Sequence, residues 1–152
     1  MEKGAARAEL AVVRTWLVDT GPLVAYLDAR DPAHAAVAAE WDGFTGSLAT
    51  TSAVITETMH FVAGGAHGPR HLAELVARSE MDVYDLTRPP ELHAAAALME
   101  KYADTPMDFA DATLVLLAEA LDLVDILTLD RRGFSVYRTR TGRALRSVLG
   151  MR

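Results

Sequence analysis

Residues 15–27 read TWLVDTGPLVAYL, and the interpretation of this stretch decides the fold. Thr15 to Val18 is a short apolar run with β-branched and aromatic character, which predicts a buried strand. The strand ends at Asp19, and the turn-prone pair Gly21-Pro22 leads into a helical turn or two over Pro22 to Leu27. A buried strand that stops on a carboxylate and passes at once into helix is the opening unit of an alternating β and α chain.

The alternation continues on the C-terminal side. Asp31-Pro32 predicts an N-cap and a first-position proline for a helix running toward Trp41. Ser47 to Thr50 is a second short strand, and the segment TTSAVITETMHFV predicts a Ser- or Thr-capped helix that closes at Gly64-Gly65. Pro69 to Ser79 has Leu72, Leu75 and Val76 at helical spacing, and Met81 to Tyr84 is a third strand. Pro90 to Tyr102 is alanine-rich and helical in propensity. Thr105-Pro106 then predicts the cap and first turn of a helix through MDFADATLVLLAEAL. Asp125 to Thr128 is a fourth strand and Phe134 to Tyr137 (FSVY) a fifth. Strands alternating with helices imply the α/β class, a three-layer α/β/α sandwich around a central parallel sheet with right-handed crossovers. With 152 residues, 51% of them apolar, one domain over residues 15–152 is expected, preceded by an N-terminal extension over residues 1–14.

Composition removes several classes of function. There is no cysteine, so disulfides, thiolate zinc sites and a cysteine nucleophile are excluded, in keeping with a reducing cytoplasm. The apolar runs are far shorter than the roughly 20 residues of a membrane span, and the first 14 residues lack the sustained apolar core of a secretory signal. The net charge of −6 argues against a nucleic-acid partner until its distribution is considered. All 21 acidic residues lie at or before Asp130, whereas the tail from Arg131 carries seven arginines and no acid. Such segregation is either a local basic strip on an acidic body or a solvated tail.

In open parallel sheets the ligand site lies beyond the carboxyl ends of the strands. Asp19 follows the first strand and Asp130 the fourth. Asp111 lies near the start of the helix begun at Thr105, and Glu57 lies in the helix after the second strand. Four acids from four separated segments are thus expected at one mouth. Carboxylates gathered in this way have raised pKa values unless a cation compensates. A hard divalent ion suits oxygen donors and supports phosphodiester hydrolysis.

Each acid also has a purely structural reading. Asp19 can cap the helix that follows it, and Asp130 before Arg131, Arg132 and Gly133 can be a turn aspartate. Glu57 can be a solvated helix residue. Asp108, three residues after Thr105, fits the acidic position of a capping box, so a structural role is expected for it. Asp111 is expected to lie beyond reach of a cap, which leaves function as its better explanation. The histidines suggest no site. Gly68-Pro69 breaks any helix shared by His67 and His71, His60 could reach Glu57, and His34 is expected on a solvent face. No phosphate-binding lysine-serine motif, dinucleotide fingerprint or serine elbow is present.

Taken together, VDTGPLVAYLD, SAVITETMHFV, PMDFADATLVLLAE and ILTLDRRGF, in this order and spacing, resemble the PIN-domain family and especially its VapC-like toxins. The resemblance spans about Trp16 to Tyr137. It implies that Asp19, Asp111 and Asp130 match metal-binding acids, that Glu57 matches the family glutamate, and that Thr20 and Thr128 match supporting hydroxyls. It further implies Mg²⁺ or Mn²⁺ dependence, an RNA substrate, frequent homodimers and a type II toxin-antitoxin role with a small antitoxin partner. Under that reading Asp19 and Asp111 bind the principal ion, Asp130 completes its shell or binds a second ion, and Glu57 orients or deprotonates the attacking water. Arg131 and Arg132 would hold RNA phosphates beside the acidic mouth.

Two other readings compete with this one. A phosphoacceptor receiver domain needs paired acids after its first strand and a lysine after its last, whereas Asp19 stands unaccompanied and no lysine follows Lys101. A PIN-like module that binds RNA or protein without cutting it is the other, and all four acids being present counts against it.

Overall fold

The computed structural model describes residues 13–150; most of the expected N-terminal extension, residues 1–12, lies outside them, as does Arg152. The chain alternates as the sequence predicts: β1 (Thr15–Val18), α1 (Thr20–Leu27), α2 (His34–Gly43), β2 (Ser47–Thr51), α3 (Ser52–Val62), α4 (Gly68–Arg78), β3 (Asp82–Tyr84), α5 (Pro89–Lys101), α6 (Phe109–Leu121), β4 (Asp125–Leu127), α7 (Arg131–Val136) and β5 (Arg146–Ser147). The five strands form one parallel sheet in the order β3-β2-β1-β4-β5, flanked by helices in the expected α/β/α layering.

β1 and β4 are buried on both faces, which is why Trp16 to Val18 and Ile126 to Leu127 read as unbroken apolar runs rather than alternating ones. Leu17 pairs with Ala49 on one side and Ile126 on the other, and Leu17, Val18, Ile126 and Leu127 are wholly buried. Helix α6 is buried from Ala112 to Ala118 and packs against α5, α3 and β2, the central position that a stretch apolar around the helix requires. From β1 the chain builds outward through β2 to β3, then returns to place β4 on the other side of β1. The carboxyl ends of β1 and β4 therefore flank the topological switch point, the expected crevice of an open α/β sheet. No helix among the described residues is long and apolar enough to cross a membrane.

Four local expectations are corrected. FSVY is not a strand. Asp130 caps a helix by accepting the Gly133 N–H at 3.0 Å, and Phe134 and Tyr137, three apart, then share its buried face. The fifth strand is Arg146–Ser147. The helix expected from Thr105 starts at Phe109, with Asp108 itself as N-cap. Likewise Asp31 does not cap α2, which begins at His34. Its side chain accepts the Ala33 N–H at 2.8 Å and forms a turn before the helix. His34 is half-buried, its Nδ1 2.8 Å from the Ala25 carbonyl, rather than on a solvent face.

Among the described residues, most of the arginine tail packs onto the domain and pairs with its acids. Leu145, Val148 and Leu149 bury into the core. Arg140 pairs with Glu119 at 2.8 Å, Arg146 with Asp125 at 2.7 Å, and Arg143 with Asp122. Arg138 donates to the carbonyls of Ser135, Val136 and Tyr137 at the end of α7. The segregated charges of the sequence meet again in space.

Candidate active site

A cleft at the carboxyl edge of the sheet is lined by Asp19, Thr20, Asp31, Glu57, Asp108, Asp111 and Asp130, with Val24, Phe61 and Leu129 on its walls. All four predicted acids are therefore at one mouth.

Asp19 is buried, with 7% of its surface exposed. It prolongs β1, its N–H donating to the Leu127 carbonyl at 3.0 Å, and then caps α1 by accepting the Thr20 N–H at 2.8 Å. Its second oxygen accepts from the Thr128 hydroxyl at 2.8 Å. Burial raises its pKa; the hydrogen bonds from Thr128 and Thr20 oppose that rise, and the charges of Asp108 and Asp130 add to it. The capping role expected for Asp19 is real and does not exclude another, because two hydrogen bonds aim a carboxylate as well as anchor it.

Asp108 and Asp111 reverse part of the sequence reading. Asp108 Oδ1 accepts the Asp111 N–H at 2.8 Å, and Asp111 Oδ2 accepts the Asp108 N–H at 3.1 Å. Together they form the capping box of α6, so Asp111 does have a local structural task, and Asp108 is its cap rather than the acidic partner of Thr105. Asp111 is half-buried, and its pKa is pushed up to about 8, first by burial, then by the charges of Asp108 and Asp19. Glu57, on α3, is also half-buried. Its pKa is raised first by burial and then by the charge of the neighbouring Asp108. Asp108 thus stands between Glu57 and Asp111 as a member of the cluster.

The Thr20 hydroxyl is buried with no hydrogen-bond partner of ordinary geometry, yet lies close enough to Glu57 to offset part of its pKa rise. Thr128 donates to Asp19 and accepts the Asp130 N–H at 3.0 Å, joining the acids that follow β1 and β4. Asp130 itself is exposed at the start of α7.

The two candidate phosphate ligands separate. The Arg131 guanidinium packs over Gly150, whereas Arg132 lines a small cavity of about 130 Å³ with Thr105, Pro106, Asp130, Gly133 and Tyr137, beside the acidic mouth. His60 is exposed and lies edge-on to Phe61, ring centroids 5.8 Å apart. The rings of His67 and His71 are 6.1 Å apart. Sequence reasoning missed Asp31 and Phe61 at the mouth. Neither carries a local signal, since only tertiary packing brings them there.

The donor set is entirely oxygen, with three carboxyls held above their ordinary pKa range and an unpartnered hydroxyl beside them. That chemistry fits a hard divalent cation. Among the described residues no three His, Asp or Glu side chains already stand together at metal-ligand spacing. Asp111 and Asp130 instead turn toward the N–H groups of their own helices.

This fold and this mouth define a class. A PIN domain profile matches residues 16–139, and the chain belongs to the PIN domain family. It is 36% identical over 124 residues to ribonuclease VapC26 of Mycobacterium tuberculosis, covering 80% of this chain and 91% of that protein. The crystal structure of M. tuberculosis VapC20, a Sarcin-Ricin loop cleaving toxin, superposes with a TM-score of 0.69 at 19% identity, over 77% of this chain and 91% of that one. VapBC2 from Rickettsia felis, bound to a promoter DNA fragment, superposes with a TM-score of 0.59 at 11% identity, over 88% and 98%. At these two identities the likeness is one of fold.

Proposed function

We propose that the protein is a Mg²⁺- or Mn²⁺-dependent endoribonuclease and the toxin of a toxin-antitoxin pair. One observation carries the nuclease reading: Asp19, Glu57, Asp111 and Asp130, from four separated segments, line one cleft at the switch point of the sheet, three of them with raised pKa values. The ribonuclease name of the 36% identical relative supports RNA as substrate. The VapBC2 assembly supports a small antitoxin as partner. A homodimer and a cytoplasmic site of action belong to the same reading.

In this mechanism Asp19, Asp111 and Asp130 would hold the cation. When bound, it supplies Lewis-acid stabilisation of charge on the phosphoryl oxygens and acidifies water. Asp19 is aimed by its bonds from Thr20 and Thr128, so its orientation is set before the ion arrives. Glu57 takes a proton from the attacking water, a role suited to a carboxyl whose basicity is raised by burial and by the Asp108 charge. The water oxygen forms the new bond to phosphorus as the bond to the leaving ribose oxygen breaks, that oxygen takes up a proton from solvent, and Glu57 returns its proton to solvent. Arg132, beside Asp130, offsets the repulsion between the acidic mouth and the RNA phosphate.

The test compares wild type with Asp19→Asn on total cellular RNA, with Mg²⁺ and with EDTA. Wild type should cleave only with the metal, and the variant should be inactive while unfolding cooperatively. Cleavage by folded Asp19→Asn, or by wild type in EDTA, overturns the assignment. A PIN-like module that binds without cutting would show RNA binding with no cleavage by wild type under either condition.

A further inference from the structure

Tyr137 is wholly buried, yet its hydroxyl lies at the edge of the acidic mouth rather than deep in the core. Its ring is held edge-on by Phe134 and by Tyr102, centroids 5.2 Å away in each case. The hydroxyl donates to the Pro106 carbonyl at 2.9 Å, with the Thr105 carbonyl at 3.4 Å. Pro106 stands two residues before Asp108, the cap of α6. At its other end Tyr137 closes α7, its N–H bonding to the Gly133 carbonyl at 3.0 Å. A Cβ on Gly133 would lie 2.3 Å from Asp130 Oδ2 and 2.9 Å from the Tyr137 hydroxyl, so both groups press on the same glycine.

These contacts make one connected unit. The segment that leads into the Asp108 and Asp111 end of α6 is tied to α7 by a buried hydroxyl, one glycine away from the Asp130 carboxylate. We propose that Tyr137 is a positioning residue for the acidic site: through the Pro106 carbonyl its hydroxyl fixes how far the Asp111 end of α6 stands from the Asp130 carboxylate. This inference rests on the metal-nuclease reading above and adds to it a residue that touches neither substrate nor ion. A core tyrosine bonded merely to satisfy its hydroxyl would affect stability alone. A positioning residue also governs whether carboxylates from two helices can serve one cation.

The experiment measures Mn²⁺ binding to the full chain without RNA, from the loss of the free-ion EPR signal, for wild type, Tyr137→Phe and Tyr102→Phe. Phenylalanine keeps the ring contacts and removes only the hydroxyl. Tyr102→Phe is the control, since its hydroxyl accepts the Arg138 N–H at 2.9 Å and has no bond to the segment leading into α6. Tyr137→Phe should weaken Mn²⁺ affinity about 10- to 100-fold, the range of outer-shell metal-site changes. It should also lower kcat with little change in KM for RNA, and excess Mn²⁺ should restore part of the rate. Tyr102→Phe should lose stability and bind Mn²⁺ as wild type does. Unchanged Mn²⁺ affinity in Tyr137→Phe overturns the proposal whatever its melting point, and so does an equal loss in both variants. If wild type itself fails to bind Mn²⁺, the metal-nuclease reading fails instead.

Discussion

The Thr128 hydroxyl donates to Asp19 Oδ2 at 2.8 Å across 109 residues of sequence, and the Thr128 Oγ1 in turn accepts the Asp130 N–H at 3.0 Å. One side chain thus fixes the acid after β1 and the turn after β4. Thr128→Val keeps the shape and removes both bonds. It should cost about 1–3 kcal/mol of stability, because a buried carboxylate oxygen and a backbone N–H lose their partner. Metal affinity should fall by about 10- to 100-fold. Chemical denaturation and Mn²⁺ titration would check both, and metal affinity equal to wild type would remove Thr128 from the site.

Removing the cation should make stability depend on pH in an unusual direction. Asp19, Glu57 and Asp111 have pKa values raised by the fold, Asp111 to about 8. Between the ordinary carboxyl range, roughly pH 4, and about pH 8 the folded state therefore holds protons that the unfolded chain has released. Stability then falls as pH rises through that window. Melting temperature in EDTA should decline from about pH 5 toward about pH 8, and Mg²⁺ should flatten the slope by binding the ionised carboxylates. A metal-free melting temperature that climbs over this interval would contradict the electrostatics described here.

Asp111 combines a structural and a proposed catalytic task, and two substitutions separate them. Asparagine keeps an oxygen that can accept the Asp108 N–H and removes the charge that Asp108 and Asp19 repel. Asp111→Asn should therefore abolish cleavage while metal-free stability near neutral pH is kept or increased. Asp111→Ala loses the charge and the capping bond together, so it should be inactive and less stable than Asp111→Asn by about 1 kcal/mol. Equal stability of the two variants would show that the bond from the Asp108 N–H to the Asp111 side chain contributes nothing.

How much of this was legible in the sequence depends on the range of the interaction that decided each feature. The acids after β1 and β4 were readable because a carboxylate following a buried strand is a local pattern, and a parallel sheet gathers such positions at one edge. The start of α6 was misread because Thr105-Pro106 and Asp108 both carry N-terminal signals, and only the reciprocal Asp108–Asp111 bonds decide between them. FSVY fits two periods at once: alternation suits a strand, while Phe134 and Tyr137 at three apart suit a helix. Asp130, capping Gly133, settles it. The arginine tail looked basic because its partners Glu119, Asp122 and Asp125 come earlier in the chain, and charge counted along sequence does not register pairs made in space.

Neighbouring arginines should behave differently. Arg132 adjoins Asp130 at the mouth, while Arg131 packs over Gly150. Arg132→Ala should raise KM for RNA and reduce the salt dependence of binding by about one phosphate contact, with little loss of stability. Arg131→Ala should lower the melting temperature and leave the salt slope unchanged. Titrations of a catalytically inactive Asp19→Asn background with RNA at several salt concentrations would check this, and identical slopes for the two arginine variants would refute the distinction.

Gly133 offers the most direct handle on the geometry of Asp130. A Cβ at this position would meet Asp130 Oδ2 at 2.3 Å and the Tyr137 hydroxyl at 2.9 Å. Of the two, the exposed carboxylate can swing aside, whereas the tyrosine is locked between Phe134 and Tyr102. Gly133→Ala should therefore displace the Asp130 carboxylate into solvent and leave the Tyr137 ring where it is. The helix remains, since alanine favours it over glycine by roughly 1 kcal/mol, which offsets part of the lost cap. Metal affinity and cleavage should fall toward those of Asp130→Ala, with near-UV circular dichroism of the aromatic cluster unchanged. If Gly133→Ala instead retains wild-type cleavage, the placement of the Asp130 carboxylate against Gly133 is not what the reaction requires.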